Sequence, residues 1–561
     1  METSEHAVDD SARQRAADVD VLIVGAGITG IYQLYRACEA GFTATLLEAG
    51  GGVGGTWYWN RYPGAQFDSE SYTYGYLFSQ ELFDEWEWRE HYAHQPEIES
   101  YLNHVVDRFD LRRHMRFGAK LTSAVYDESS AKWTAVASDG TELRAQFLIP
   151  ATGVLSVPYF PDVPGREDFR GQSCHTGLWP TTPVDFADKR VAVIGTGSSG
   201  VQLIQEIAAE VSSLTVYQRT ANWCTPLNNA PITPEQQAEL RADFEAIRET
   251  LNMSQSGFLH PAHDRGTFDD STEERWAFFE KMWNSPGFSK LISHYTDLTL
   301  DPRANAEWCE FIAEKIRSVV EDPETAEKLI PKDHRFAEKR PPFVTGYFEA
   351  YNRPNVSLVD LKETPIVRVT EAGIETGEGL REFDIIVWAT GFDFGTGALT
   401  RMGIRGRDGL ALEDHWADGP RTFLGIQTTC FPNFFFPGGP HAAAGNNPRY
   451  NGDQVDFVMD TLVYLRDRGY DVIEVDPAAE EKWTNMIDAA ATLPPSFGEI
   501  SYYFGSNIPG KPRRYLLNSL GRPKFFKEIA KVSENDYKAF RLSRSASRDS
   551  RPRPAAAAGA Q

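Results

Sequence analysis

Cysteine is scarce in this chain of 561 residues: there are five, Cys38, Cys174, Cys224, Cys309 and Cys430, and no two form a C-x-x-C pair. An odd number at such wide spacing argues against a disulfide framework, a zinc ligand set and a redox dithiol, and fits a reducing cytoplasm. Long apolar runs are missing too. None approaches the roughly 20 residues that a bilayer-spanning helix requires, so a soluble protein is expected. The N-terminal METSEHAVDDSARQRAADVD is polar and acidic, unlike the apolar core of a secretory signal. Basic residues are in deficit: 56 Lys+Arg against 80 Asp+Glu leave a net charge of −24. That field repels a phosphate backbone, so nucleic acid is not an expected partner.

The length exceeds what one hydrophobic core holds, so two or three domains are expected. Residues 1–18 lack periodicity. The C-terminal RLSRSASRDSRPRPAAAAGAQ is biased to Arg, Ser, Pro and Ala; both ends read as disordered tails, the second over residues 541–561. Between them, two segments read alike. Val19 to Val24 is a buried strand that runs into Gly25-Ala26-Gly27-Ile28-Thr29-Gly30, a helix and a second strand ending at Glu48. Arg190 to Ile194 runs into Gly195-Thr196-Gly197-Ser198-Ser199-Gly200, a helix and a strand ending at Gln218-Arg219-Thr220. Each is the opening of a dinucleotide-binding βαβ unit. The fold class is therefore α/β, with two Rossmann-like domains.

A lone GxGxxG is weak, but each copy here follows a strand and opens a helix. The first glycine makes the tight turn, the second lets a pyrophosphate approach the backbone, and the third lets helix and strand pack. The anion sits on the helix N-terminus. The strand ends separate the two ligands. Glu48 can accept hydrogen bonds from ribose hydroxyls, which suits FAD or NAD. Arg219 and Thr220 replace that carboxylate in the second unit, and a guanidinium there pairs with a 2′-phosphate. FAD is thus expected on the first unit and NADPH on the second. A disulfide reductase would need a dithiol beside the flavin, which this chain lacks. Reduced flavin must then react with something else, and O₂ is the obvious candidate.

Two longer stretches carry a resemblance. Phe169-Arg170-Gly171-Gln172-Ser173-Cys174-His175-Thr176-Gly177-Leu178-Trp179-Pro180 is similar to the FxGxxxHxxxWP fingerprint of Baeyer–Villiger monooxygenases. Gly54-Gly55-Thr56-Trp57-Tyr58-Trp59-Asn60-Arg61-Tyr62-Pro63-Gly64-Ala65-Gln66-Phe67-Asp68 resembles the family's second fingerprint. The likeness runs from about Val19 to Leu542 and is strongest to the phenylacetone- and steroid-oxidising branch. It implies conversion of a ketone to an ester or lactone with NADPH and O₂, through a flavin peroxide anion. It also implies that Arg340, in Glu338-Lys339-Arg340-Pro341, supplies the cation beside that anion, and that Asp68 orients the guanidinium. Lys339 falls on a contact to the 2′-phosphate, and Gly55, Thr56, Trp57 and Tyr74 fall on flavin contacts. His175 and Trp179 resemble linker residues.

The chain departs from the family's pattern in three places. Tyr502 stands where tryptophan is usual, near NADPH and substrate. The loop Gly439 to Asn447 carries Ala442-Ala443-Ala444, small residues that suggest room for a bulkier ketone. Pro150 removes a ladder donor inside an expected strand.

The strand ends Ala151-Thr152-Gly153 and Ala389-Thr390-Gly391 mark where the chain leaves the first domain and returns. An FAD domain is expected over 19–155 and 385–540, an NADP domain over 156–229 and 331–384, and a helical insertion over 230–330. Two rival readings remain at this point. One is a flavin monooxygenase that oxygenates amines or sulfides; the other is a non-catalytic, redox-sensing flavoprotein.

Overall fold

The computed structural model describes residues 17–442, 445–492 and 501–545. Ala443 and Ala444 of the small-residue loop lie outside the described residues. Among the described residues, a seven-stranded sheet runs in the spatial order Ile404–Arg405, Leu121–Asp127, Lys132–Ala137, Glu142–Pro150, Ala17–Val24, Ala44–Leu47 and Met115–Arg116. Its interior strand Ala17–Val24 pairs in parallel with both neighbours. Val21, Leu22 and Ile23 are fully buried, as a parallel strand covered on both faces requires. The helix Ile28–Glu39 packs against the late helix Asn447–Arg468. Asn451 donates to Thr29 Oγ1 at 2.9 Å and the Tyr32 hydroxyl to Asp456 at 2.7 Å. Distant sequence thereby completes the first half.

A five-stranded parallel sheet follows the order Val356–Asp360, Ser213–Gln218, Arg190–Ile194, Ile385–Trp388 and Gln172–His175. One boundary expected from the sequence is corrected here. Ile385–Trp388 does not return to the first sheet; it is an interior strand of the second, buried along its whole length. The two Ala-Thr-Gly ends are equivalent elements of the two halves. A Cβ on Gly25 would meet the carbonyl oxygen of Ala151 at 2.9 Å, and one on Gly195 would meet that of Ala389 at 2.4 Å. Each thus lies against the glycine turn of its own sheet, and the chain crosses back only after Gly391.

The segment 230–330 carries Pro234–Ala242, Phe244–Met253, Thr272–Asn284 and Pro302–Val319 as its longer helices. Phe279, Trp308, Phe311 and Ile312 share a core with Val191, Val193, Leu214 and Val216 of the second sheet. Phe244, Ile247 and Leu251 pack on Leu77 and Phe83, beside the first.

The expected tails also shift. The first strand already starts at Ala17, and Phe540–Ser543 forms a strand antiparallel to Val472–Val475. The Ser545 amide donates to Asp471 at 2.6 Å, so the fold reaches past residue 540. Pro150 is tolerated because it is the last residue of its strand, opposite Val24. The neighbouring donor Leu148 is already bonded to the Asn433 carbonyl at 3.0 Å, so no ladder continues past it to be broken. Among the described residues no helix is long and apolar enough to cross a membrane.

Candidate active site

Both glycine turns have the stereochemistry their spacing predicts. Gly25 and Gly195 sit at φ +106° and +110°, where a side chain is strained. A Cβ on Gly30 would fall 1.8 Å from the Gly25 carbonyl oxygen, and one on Gly200 2.2 Å from that of Gly195. Those third glycines close helix onto strand. The middle glycines differ: a Cβ on Gly197 would meet nothing within 4 Å, and one on Gly27 only the Gly55 Cα at 3.5 Å. The helices Ile28–Glu39 and Ser198–Ile207 start at Gly27 and Gly197 without a side-chain cap. Thr233, Ser271 and Asp301 do cap helices elsewhere in the chain. A bare helix N-terminus beside a side-chain-free backbone fits a pyrophosphate. Thr196 is held by its own bond to the Thr220 carbonyl at 2.9 Å, with Ser198 exposed and Ser199 half-buried at the helix start.

Glu48 is buried and accepts from the amides of Ala26 at 2.7 Å and Gly50 at 2.6 Å. It therefore braces the first turn from below, and its remaining lone pairs still suit ribose hydroxyls. At the second turn, Arg219 is exposed just past its strand. Burial pulls the Lys339 ammonium below its ordinary range; Asp333 opposes this, and Arg219 and Lys362 push it lower still. Lys362 lies 3.1 Å from Asp333. Lys339 and Lys362 thus share one carboxylate, with Arg219 within electrostatic reach of Lys339, a donor set that fits a 2′-phosphate. Lys362 escapes sequence reading. Its proximity arises because Val356–Asp360 pairs in parallel with Ser213–Gln218, and a basic residue after the neighbouring strand is the only signal.

The segment Gly54 to Asp68 bridges the halves. The Gly54 amide donates to the Ala26 carbonyl at 3.0 Å, and a Cβ on Gly55 would press within 2.6 Å of the Gly27 Cα. Trp57 Nε1 donates to the Tyr74 hydroxyl at 3.0 Å, and Phe67 stacks on Tyr74 at 4.6 Å. Thr56 begins this turn and is exposed. Further along, the Tyr62 hydroxyl donates to Gln202 Oε1 at 2.8 Å, and Gln202 Nε2 to the Gln66 carbonyl at 2.9 Å. Gln202 belongs to the helix Ser198–Ile207 of the second half. The bridge therefore delivers Asp68 to the second unit.

There Asp68 meets Arg340. The guanidinium donates in a fork, Nη1 to Oδ2 at 3.0 Å and Nη2 to Oδ1 at 2.6 Å. It lies 4.4 Å from the ring centroid of Phe288 and 5.7 Å from that of Phe343. Burial pushes the Asp68 carboxyl up from its ordinary range and Arg340 pulls it down; the fork geometry is that of an ionised pair. Arg340 is fixed in turn because residues 340–344 are stitched to 222–225. Asn222 donates to the Arg340 carbonyl at 3.4 Å and Thr225 to that of Pro342 at 3.1 Å. The side chain of Arg340 remains 30% exposed, enough to reach a reacting group.

Tyr502 opens the turn Tyr502–Phe504 within electrostatic reach of both Arg340 and Asp68. Burial, then the neighbouring Tyr503, hold its phenol well above the ordinary range, so it is a neutral donor. Beside Asp68 lies a buried group that sequence reasoning missed: Glu70, 2.7 Å from His260 and accepting from Tyr92 at 3.3 Å. His260 comes from the helical insertion, and nothing in the sequence links it to Glu70. His175 and Trp179 take no part in this cluster. His175 Nδ1 accepts from the Gly177 amide at 2.9 Å, and Trp179 packs on Tyr62 and Phe186. All five cysteines are free.

Residues 22–256 match the sequence profile of a family described as pyridine nucleotide-disulphide oxidoreductase. The chain is 42% identical to 2-oxo-Delta(3)-4,5,5-trimethylcyclopentenylacetyl-CoA monooxygenase of Pseudomonas putida, over 95% of this chain and 100% of that one. It is 37% identical to a Baeyer-Villiger monooxygenase of Pseudooceanicola batsensis, over 94% and 97%. It is 39% identical to a phenazine N-monooxygenase of Lysobacter antibioticus, over 93% and 97%. Among solved structures, OTEMO in complex with FAD and NADP superposes with a TM-score of 0.91 at 41% identity, covering 94% of this chain and 100% of that one.

Proposed function

The chain belongs to the Baeyer–Villiger monooxygenase family, and from that premise we propose that its Arg340–Asp68 pair is the charge centre of a ketone oxygenation. The overall reaction takes a ketone, O₂, NADPH and a proton to an ester or lactone, NADP⁺ and water. FAD, when bound, takes hydride from NADPH and supplies the activation of O₂. Gly25, Ala26, Gly27, Gly30 and Glu48 would hold FAD, with Gly55, Thr56, Trp57 and Tyr74 along its reactive end. Gly195 to Gly200, Arg219, Thr220, Lys339 and Lys362 would hold NADPH.

The chain's own residues do three things. The bare helix ends and the basic cluster bind the two nucleotides. The Gly54 to Asp68 bridge sets one half against the other. Arg340, forked by Asp68 and backed by two rings, holds a preorganised positive charge where negative charge develops on the transferred oxygen, before it adds to the carbonyl. Tyr502 offers a neutral hydroxyl at the same place. The carrying observation is the Arg340–Asp68 fork at the meeting of the two halves.

The test is product mass. With NADPH, air and a panel of cyclic and linear ketones, one product should be heavier than its ketone by a single oxygen. Products only from amines or sulfides would replace the ketone reading; the phenazine relative's name points to oxygenation at nitrogen. NADPH oxidation that yields hydrogen peroxide alone from every compound would refute both.

A further inference from the structure

Lys511 is one of the most enclosed cations in the structure. Its side chain is 9% exposed, as is that of its partner Asp393. The ammonium donates to Asp393 Oδ1 at 2.6 Å and to the Phe394 carbonyl at 2.5 Å. Its stem runs beneath the Tyr502–Phe504 turn: Gly505 ends that turn at φ +74°, and a Cβ there would fall 3.1 Å from Lys511 Cδ. Two further contacts follow the same line. Asn507 donates to the Phe392 carbonyl at 2.8 Å, and the Phe394 ring lies 5.3 Å from that of Tyr502.

Residues 392–395 are where the chain crosses back between the two sheets. This return pairs with the outgoing crossing: Tyr159 N donates to Gly391 O, Asp393 N to Val157 O and Gly395 N to Val154 O, at 2.8–3.0 Å. Phe392 also lies against His175 of the second half, 5.8 Å ring to ring. The crossing is thus held from both halves, and Lys511 reaches it from below the turn that carries Tyr502.

We propose that Lys511 is a positioning residue: its ion pair with Asp393 ties the Tyr502 turn to the inter-sheet crossing and sets where Tyr502 stands beside Arg340 and Asp68. A buried ammonium held below its ordinary range by burial, with Asp393 only partly opposing this, is retained for a geometric purpose more readily than for stability, since an apolar side chain of that length would fill the same space. Arg401 donates to the other Asp393 oxygen at 2.7 Å. Removing Lys511 therefore leaves that carboxylate a partner. The inference rests on the proposed role of the Arg340–Asp68 pair, but the tie itself can be read without any turnover.

The experiment compares the FAD- and NADPH-loaded enzyme with Lys511→Met, which keeps the stem and deletes the charge. Hydrogen exchange in a peptide spanning 501–516 should quicken by about tenfold, while a peptide spanning 190–218 stays at its wild-type rate. The fraction of oxidised NADPH that ends as ester should fall several-fold, and Lys511→Arg should restore most of both. Combined with Tyr502→Ala, Lys511→Met should add no further loss, because both act on one element. Wild-type exchange in 501–516 would overturn the tie. Quickened exchange with unchanged ester yield, or losses that add in full, would overturn its action through Tyr502. Should Lys511→Met fail to retain FAD, Asp393→Asn keeps the volume and the Arg401 contact, and the same two outcomes decide.

Discussion

Replacing Arg340 by alanine separates two half-reactions that the wild type runs in sequence. The substitution removes both fork bonds to Asp68, 2.6 and 3.0 Å long, and the charge above Phe288 and Phe343. It also leaves Asp68 without its guanidinium, and burial already pushes that carboxyl up, so the aspartate will take a proton more readily and the site will lose both charges. Loss of one preorganised donor to a developing anion typically lowers a rate by about 10²–10³, or roughly 2.7–4 kcal/mol. Ester formation should fall by that factor. Hydride transfer from NADPH needs no such anion stabilised, so anaerobic flavin reduction should stay within about tenfold of wild type, the allowance being one kcal-scale contact to the nicotinamide. Stopped-flow absorbance measures the reduction, ester yield in air measures the oxygenation, and hydrogen peroxide accounts for the difference. Asp68→Ala should lie between the two, because the cation survives but loses its orientation. Near-wild-type ester formation by Arg340→Ala would refute the assigned role, as would a fall in flavin reduction equal to the fall in ester.

The glycine turn of the second half makes a paired prediction: Gly197→Ala should fold with an unchanged Tm, since its Cβ meets no protein atom, yet raise KM for NADPH by at least about tenfold, roughly one lost backbone contact. Gly200→Ala, whose Cβ would fall 2.2 Å from a carbonyl oxygen, should instead lower Tm. Lys339→Met should erode the preference for NADPH over NADH by about tenfold or more, the value of one charged hydrogen bond, and equal kcat/KM for the two nucleotides in the wild type would refute the 2′-phosphate site. Burial holds His441 down to about 4, so it is neutral in the fold and binds a proton on unfolding below its ordinary 6.5. Its contribution is full above pH 6.5 and lost as pH falls toward 4, about 2.5 kcal/mol by pH 4.5. Denaturant titrations at pH 7 and 4.5 should show His441→Gln losing less than wild type by that amount.

The parts of this fold that are legible in the sequence are those whose reason is local. Gly30 and Gly200 are demanded by a clash with a carbonyl five residues earlier, and Gly25 and Gly195 by their own positive φ, so spacing alone announces them. The strands Val19 to Val24 and Arg190 to Ile194 are continuous apolar runs for the same local reason. The assignment of Ile385–Trp388 failed because a buried parallel strand has the same pattern in either sheet. Only its pairing with Arg190–Ile194 and Gln172–His175 decides, and pairing is a long-range fact. Lys362, Glu70 with His260, and Lys511 with Asp393 are invisible for that reason too. Their partners lie between 29 and 190 residues away, and no periodicity encodes such distances. Arg340 and Asp68 were reached only through resemblance, because a Lys-Arg dipeptide by itself marks nothing.

The adjacency of Lys339 and Arg340 then acquires a physical meaning. Lys339 stands among Arg219, Lys362 and Asp333 at the nucleotide end of the second sheet, while the next side chain turns to Asp68, at the far end of a bridge rooted in the first glycine turn. The backbone from Arg340 onward is stitched to Asn222 and Thr225, shortly after Arg219 and Thr220. On the proposed function, one short, doubly anchored stretch would present a cation to the phosphate of the hydride donor and another to the site of oxygen transfer. A nucleotide that stays bound through turnover would hold Lys339, and with it the backbone from which Arg340 projects. Separate stretches could supply the same two charges, but occupancy of one would then say nothing about the placement of the other. Here the side chains can be altered one at a time, whereas their shared backbone cannot move at one without moving the other.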